Sequence, residues 1–159
     1  MTREPKVAEP LYAEDLVVGS VHDLGTYQVT LQEILDFAEQ WDPQIFHVDV
    51  QAANAGFFGE IIASGVHTVA IAQRLAVRGA YRHWSVIAGR RVSAEFPKPV
   101  RPGDTVAGSL TVERVTPTGP GRSLVVTRGR LTTDGETVLD TTVEAYVRRR
   151  PQPDAALPA

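Results

Sequence analysis

The chain has 159 residues, a formal net charge of −3 and no cysteine. That length suits one domain, and the missing cysteines exclude disulfides, thiolate catalysis, iron–sulfur clusters and cysteine zinc sites. The near-balanced charge excludes a general nucleic-acid binder, and a cysteine-free chain accords with the reducing cytoplasm.

In chain order, residues 1–10 are polar with two prolines and read as a flexible tail, with no apolar run of the kind a secretory signal needs. Val17 to Val29 is strand-like, interrupted by Gly19 and Gly25. Thr30-Leu-Gln-Glu33 fits a capping box, and Leu31, Ile34, Leu35 and Ala38 then fall on one helical face. The helix is predicted to stop near Trp41, because Pro43 disfavours helical geometry at Asp42. A short helix follows over Val50 to Ala55, with Asp49 as N-cap and Gly56 after its end.

A third helix is predicted from about residue 65 to 78, after Ser64-Gly65 and before the stop at Gly79. Val66, Val69, Ala70, Ile71, Ala72, Leu75, Ala76 and Val77 cover more than one stripe of it, so other structure is expected to wrap it. The stretch Ile61 to Val77 is the most apolar in the chain, yet Ser64, His67, Gln73 and Arg74 break it, so no membrane span is expected. Strands dominate afterwards. Thr105 to Val115 alternates with Val106, Gly108, Leu110 and Val112 on one face, and Asp134-Gly135 joins two more runs as a hairpin. Residues 151–159 read as a second flexible tail, leaving one domain over 11–150. One buried helix with several long antiparallel strands implies an α+β fold, a curved sheet around a central helix. The open edges of such a sheet favour a homodimer.

Chemistry concentrates in Asp42-Pro-Gln-Ile-Phe-His47-Val-Asp49. On a continuous helix, Asp42 and His47 would point about 140° apart. The break at Pro43 lets a carboxylate and an imidazole meet, a pair suited to general acid–base work on water. The competing reading makes Asp42 a backbone cap and His47 a loop residue, with Asp49 a helix cap. Ser64-Gly65 supplies a second element: a helix N-terminus has unpaired N–H groups, and glycine allows close approach. Donors there can hold a thioester oxygen as it becomes enolate-like, although a plain Ser cap with tight packing accounts for the same residues. Phe57, Phe58 and Ile62 are candidates for an apolar substrate wall, and Arg90 and Arg91 for phosphate contacts. His22, His67 and His83 lack metal-ligand spacing, so no metal is expected. Ser64 has no nucleophile context.

These features resemble the MaoC-like enoyl-CoA hydratases and dehydratases, which have the hotdog fold. The Asp42 to Asp49 segment is similar to the family's hydratase motif. Ala52 to Gly56 with Ile62-Ala-Ser-Gly65-Val-His-Thr68 resembles the approach to its central helix, and Pro99-Val-Arg-Pro-Gly-Asp104 the turn before its last strands. The resemblance spans roughly residues 11–148. It implies that Asp42 and His47 hold the water added to C3 of a trans-2-enoyl-CoA, or lost in the reverse dehydration, and that the Gly65 N–H polarises the thioester carbonyl. It also implies an acyl-CoA partner, no cofactor beyond the coenzyme A of the substrate, and a homodimer or dimer of dimers. One departure concerns the pocket: many members read Asp-x-Asn-Pro-x-His, whereas Pro43 and Gln44 give Asp-Pro-Gln-x-x-His here, with the Asn replaced and the proline moved. The same fold hosts acyl-CoA thioesterases and non-catalytic acyl-binding subunits. The thioesterase signature is a carboxylate on or near the central helix, and residues 65–79 contain no Asp or Glu.

Overall fold

The capping box at Thr30 forms as its residues dictate. Thr30 Oγ1 accepts from the Glu33 N–H at 3.2 Å, and the Glu33 carboxylate accepts from the Thr30 N–H at 3.0 Å. This opens helix α1 (Leu31–Trp41), which buries Ile34 and Ala38 completely. Full burial of a side chain the size of Ile34 contributes about 1.5–3 kcal/mol. The helix ends at Trp41, as Pro43 requires.

The computed structural model describes residues 9–152, so the tails expected at 1–10 and 151–159 lie almost wholly outside the described residues. Where a loop was expected after Pro43, one helical turn forms instead, α2 (Ile45–Val48). Helix α3 (Val50–Ala55) follows directly, capped by Asp49, whose carboxylate accepts from the Ala52 N–H at 2.9 Å.

Five antiparallel strands form one sheet in the order β1-β3-β4-β5-β2. They are β1 (Val21–Gln28), β2 (Val86–Glu95), β3 (Thr105–Gly119), β4 (Arg122–Thr133) and β5 (Glu136–Arg148). The β4–β5 turn needs positive φ at both central residues, and Asp134 (φ 49°) with Gly135 (φ 80°) supplies it. On β3, Val106, Leu110 and Val112 are buried as the alternation predicts and share one core with Val125 and Leu131 of β4 and Leu139 and Val147 of β5. On β3, β4 and β5 the alternation places one face on the core and leaves ion pairs such as Arg128–Asp140 outside it, whereas the edge strand β2 is exposed along almost its whole length.

Helix α4 (Gly65–Gly79) packs on the sheet's core side and buries His67, Thr68, Ile71, Leu75 and Ala76. The sheet does not wrap it all round. Val66 is 60% and Val77 39% exposed, with Ala70, Arg74 and Arg78 also open to solvent. A single five-stranded sheet reaches only one side of a helix about 10 Å across. This corrects the enclosed helix expected from composition. Among the described residues, no helix is long and apolar enough to cross a membrane.

Candidate active site

Three segments converge at the start of α4. Asp42 follows α1, its backbone N–H still bonded to Ala38 O at 2.9 Å. Pro43 then turns the chain, and the α2 turn carries His47 back towards the carboxylate. The third segment, Ile62-Ala63-Ser64, is buried throughout and tied to the loop before β3 by Ala63 N–H donating to Val100 O at 2.9 Å.

His47 is 4% exposed. Its Nδ1 lies 2.7 Å from Ile62 O, a carbonyl that can only accept, so Nδ1 carries the proton. In the neutral ring this leaves the Nε2 lone pair facing Asp42 Oδ2, 3.6 Å away. That separation is too long for a direct hydrogen bond. It is short enough for one water to donate to both atoms. Asp42 is further held by Ser64 Oγ, which donates to Oδ2 at 2.6 Å, and by Gln44 Nε2, which donates to Oδ1 at 2.9 Å. The Ser64 bond, then the Gln44 bond and the nearby His47 hold the Asp42 carboxyl below the usual carboxylate range, against partial desolvation.

A cleft of about 360 Å³ adjoins the His47 side of the pair, lined by Phe46, His47, Phe58, Ile62, Gly65 and Thr68 together with Phe96 to Val100, while Asp42 stands behind His47 and outside the lining. A Cβ on Gly65 would stand 3.0 Å from Cζ of the half-exposed Phe96 ring, so any larger residue here must displace that ring. The Ser64 hydroxyl accepts from the Val66 N–H at 3.2 Å. The Gly65 N–H has no acceptor among the described residues.

The expected site residues separate clearly. Asp42, His47 and Gly65 come together, with Phe58 and Ile62 on the cleft wall. Phe57 does not join them: it is 95% exposed, its ring perpendicular to that of Phe58, and it is absent from the cleft lining. Ser64 is fully buried with its hydroxyl engaged at both ends, so it has no free group to offer a substrate. Arg90 and Arg91 lie on β2 outside the cleft lining, and Arg90 pairs with Glu144 at 2.5 Å. The cation in the lining is Lys98, paired with Glu136. Sequence reasoning missed Phe96 and Lys98. Past the end of β2 the chain bends at Pro97-Lys98, and this brings the Phe96 ring against Gly65 at the helix start.

Residues 17–134 match the family described as MaoC like domain. The chain belongs to this family. A MaoC-like dehydratase from Rhodospirillum rubrum is 36% identical, with a TM-score of 0.81 over 89% of this chain and 99% of that one. R-hydratase PhaJ1 from Pseudomonas aeruginosa, 23% identical, superposes with a TM-score of 0.69 over 94% of this chain and 95% of that one, a likeness of fold. An uncharacterised protein of Bacillus subtilis, YdeM, is 36% identical over 92 residues, 57% of this chain and 65% of that relative's length. The sheet and central helix are those of the hotdog fold, and the family is one of hydratases and dehydratases.

Proposed function

We propose that the MaoC-like domain hydrates a trans-2-enoyl-CoA, or dehydrates the corresponding 3-hydroxyacyl-CoA. The observation that carries this reading is the 3.6 Å gap between His47 Nε2 and Asp42 Oδ2, with Nδ1 turned to the Ile62 carbonyl. One water donates to the imidazole lone pair and to the carboxylate, leaving an oxygen lone pair free to attack C3. Its O–H bond breaks as the C3–O bond forms. The proton passes to Nε2, where the anionic Asp42 stabilises the imidazolium, and is returned to C2. While C3 is attacked, negative charge gathers on the thioester oxygen and is held by the Gly65 N–H and the partial positive charge of the α4 N-terminus. No metal or redox group enters this sequence, and coenzyme A belongs to the substrate.

The acyl part lies against Phe58 and Ile62 in the cleft, and the phosphate-bearing arm of coenzyme A leaves past Lys98 in place of Arg90 and Arg91. A second copy of the chain covers the exposed edge strand β2 and the open side of α4 near Val66. A thioesterase reading has less support, since α4 carries no carboxylate to attack or activate water at the thioester carbon.

The test is loss of the conjugated-thioester absorbance of crotonyl-CoA and of longer or branched enoyl-CoAs. Turnover by the parent chain, with release of a 3-hydroxyacyl-CoA and no free thiol, is the expected result. Thiol release without loss of the double bond would overturn it in favour of hydrolysis.

A further inference from the structure

The two members of the water-activating pair are both tied to one three-residue segment. His47 bonds to the carbonyl of Ile62, Asp42 bonds to the hydroxyl of Ser64, and the next residue offers the N–H proposed for the thioester oxygen. Ser64 is itself fixed at several points. Its hydroxyl accepts from the Val66 N–H, and its carbonyl accepts from Thr68 N–H at 3.0 Å and Thr68 Oγ1 at 3.1 Å. It is fully buried, so nothing but Asp42 and the helix can use its hydroxyl.

We infer that Ser64 is a positioning residue, whose hydroxyl locks the Asp42 carboxylate in register with the Gly65 N–H and so sets the attacking water against the polarised thioester. This rests on the hydration reading for its catalytic meaning. The physical argument is geometric. Asp42 sits beyond the end of α1, at a residue whose backbone (φ −155°, ψ 69°) belongs to no regular element, so backbone structure alone does not aim its side chain. One carboxylate oxygen is steered by Gln44, two residues away on the same turn, and moves with it. The other is held by Ser64, 22 residues distant, which alone relates the carboxylate to α4. A hydrogen bond to a charged acceptor is among the stronger ones, and misplacing a reacting group by about 1 Å can cost about 10²-fold in rate. The same bond favours the anion over the neutral acid.

A plain helix cap would use the same hydroxyl, so the test must separate the two roles. Glycine caps a helix nearly as well as serine but has no hydroxyl. Ser64→Gly and Ser64→Ala are therefore expected to lower kcat by about 10- to 100-fold with KM little changed, and to move the acid limb of the pH–kcat profile to higher pH. In an Asp42→Asn background, Ser64→Ala is expected to add little further loss, because Ser64 acts through the carboxylate. A ¹³C NMR titration of the Asp42 carboxyl reads the link without turnover, and the carboxyl should protonate at higher pH in both Ser64 variants. An unchanged Asp42 titration, or an equal kcat loss with and without the Asp42 charge, would overturn the proposal. A shifted titration in a parent chain that hydrates no enoyl thioester would overturn the hydration reading and with it the catalytic role of Ser64.

Discussion

His47 Nε2 faces Asp42 Oδ2 across 3.6 Å, although the two residues are separated by a proline and belong to different helical turns. The gap is set from outside the pair, by Ile62 on the imidazole and by Ser64 and Gln44 on the carboxylate. Asp42→Asn keeps the shape but removes the charge, so kcat on an accepted enoyl-CoA is expected to fall by at least roughly 10²-fold with little change in fold or KM. His47→Gln should do the same. The double variant should be far less than multiplicatively worse, because both residues act on one water. Near-parental turnover in both single variants, measured by enoyl absorbance, would remove them from the mechanism.

Much of this site was legible in the chain because its punctuation is local. Thr30 and Glu33 announce α1, Pro43 ends it, and Asp49 starts α3, so the meeting of Asp42 and His47 follows from short-range rules. The antiparallel sheet was legible in strand alternation and the Asp134-Gly135 turn, and the hotdog fold was implied by the resemblance of residues 42–49, 52–68 and 99–104 to MaoC-like proteins. The wall of the cleft was less legible. Phe57 and Phe58 are neighbours of equal hydrophobicity, and only the turn after α3 decides that Phe58 faces inwards while Phe57 stands in solvent. Phe96 and Lys98 reach the site from a distant part of the chain, a placement that depends on the β2–β5 register. In the sequence, Ser64 beside Gly65 at a helix N-terminus is a candidate substrate contact, because helix N-termini favour ligands. Its hydroxyl instead turns to a carboxylate 22 residues away, which no local pattern encodes.

Gly65→Ala tests the helix start. The added Cβ meets the Phe96 ring at 3.0 Å and intrudes on the wall where the thioester is proposed to lie. Half-exposed Phe96 can move, so the fold should survive. A loss in kcat/KM of at least about 10-fold is expected, and Phe96→Ala in the same chain should recover part of it by freeing the space. Unaltered kinetics in Gly65→Ala would place the thioester elsewhere.

Phe58 and Phe57 offer a paired comparison. Phe58→Ala removes an aromatic wall from the cleft and should shift the preference among enoyl-CoAs of different chain length or branching. One methylene in such a pocket is worth about 10- to 200-fold in kcat/KM. Phe57→Ala removes a ring that is 95% exposed and should leave that preference unchanged. The reverse ranking would mean that Phe57 meets the substrate when a second copy is in place.

His67 predicts a pH dependence of stability that is independent of catalysis. It is 6% exposed, stacks on Phe37 with centroids 4.6 Å apart, and its Nδ1 has no partner among the described residues. Burial pushes its pKa below the ordinary imidazole value of 6.5, and the Glu33 carboxylate opposes that shift without reversing it. Glu33 is itself engaged by Tyr27 and Thr30, which limits how far it can turn to the ring. The unfolded chain therefore takes up a proton at a higher pH than the folded one. The stability His67 contributes is complete above about pH 6.5 and declines as pH falls from there through the folded pKa. His67→Leu removes the titrating group while keeping an apolar contact on Phe37, and deletes a buried nitrogen without a partner. Between pH 7.5 and 5.5, the urea midpoint of the parent should fall further than that of His67→Leu. Parallel curves over that window would show that His67 protonates equally in the folded and unfolded chain.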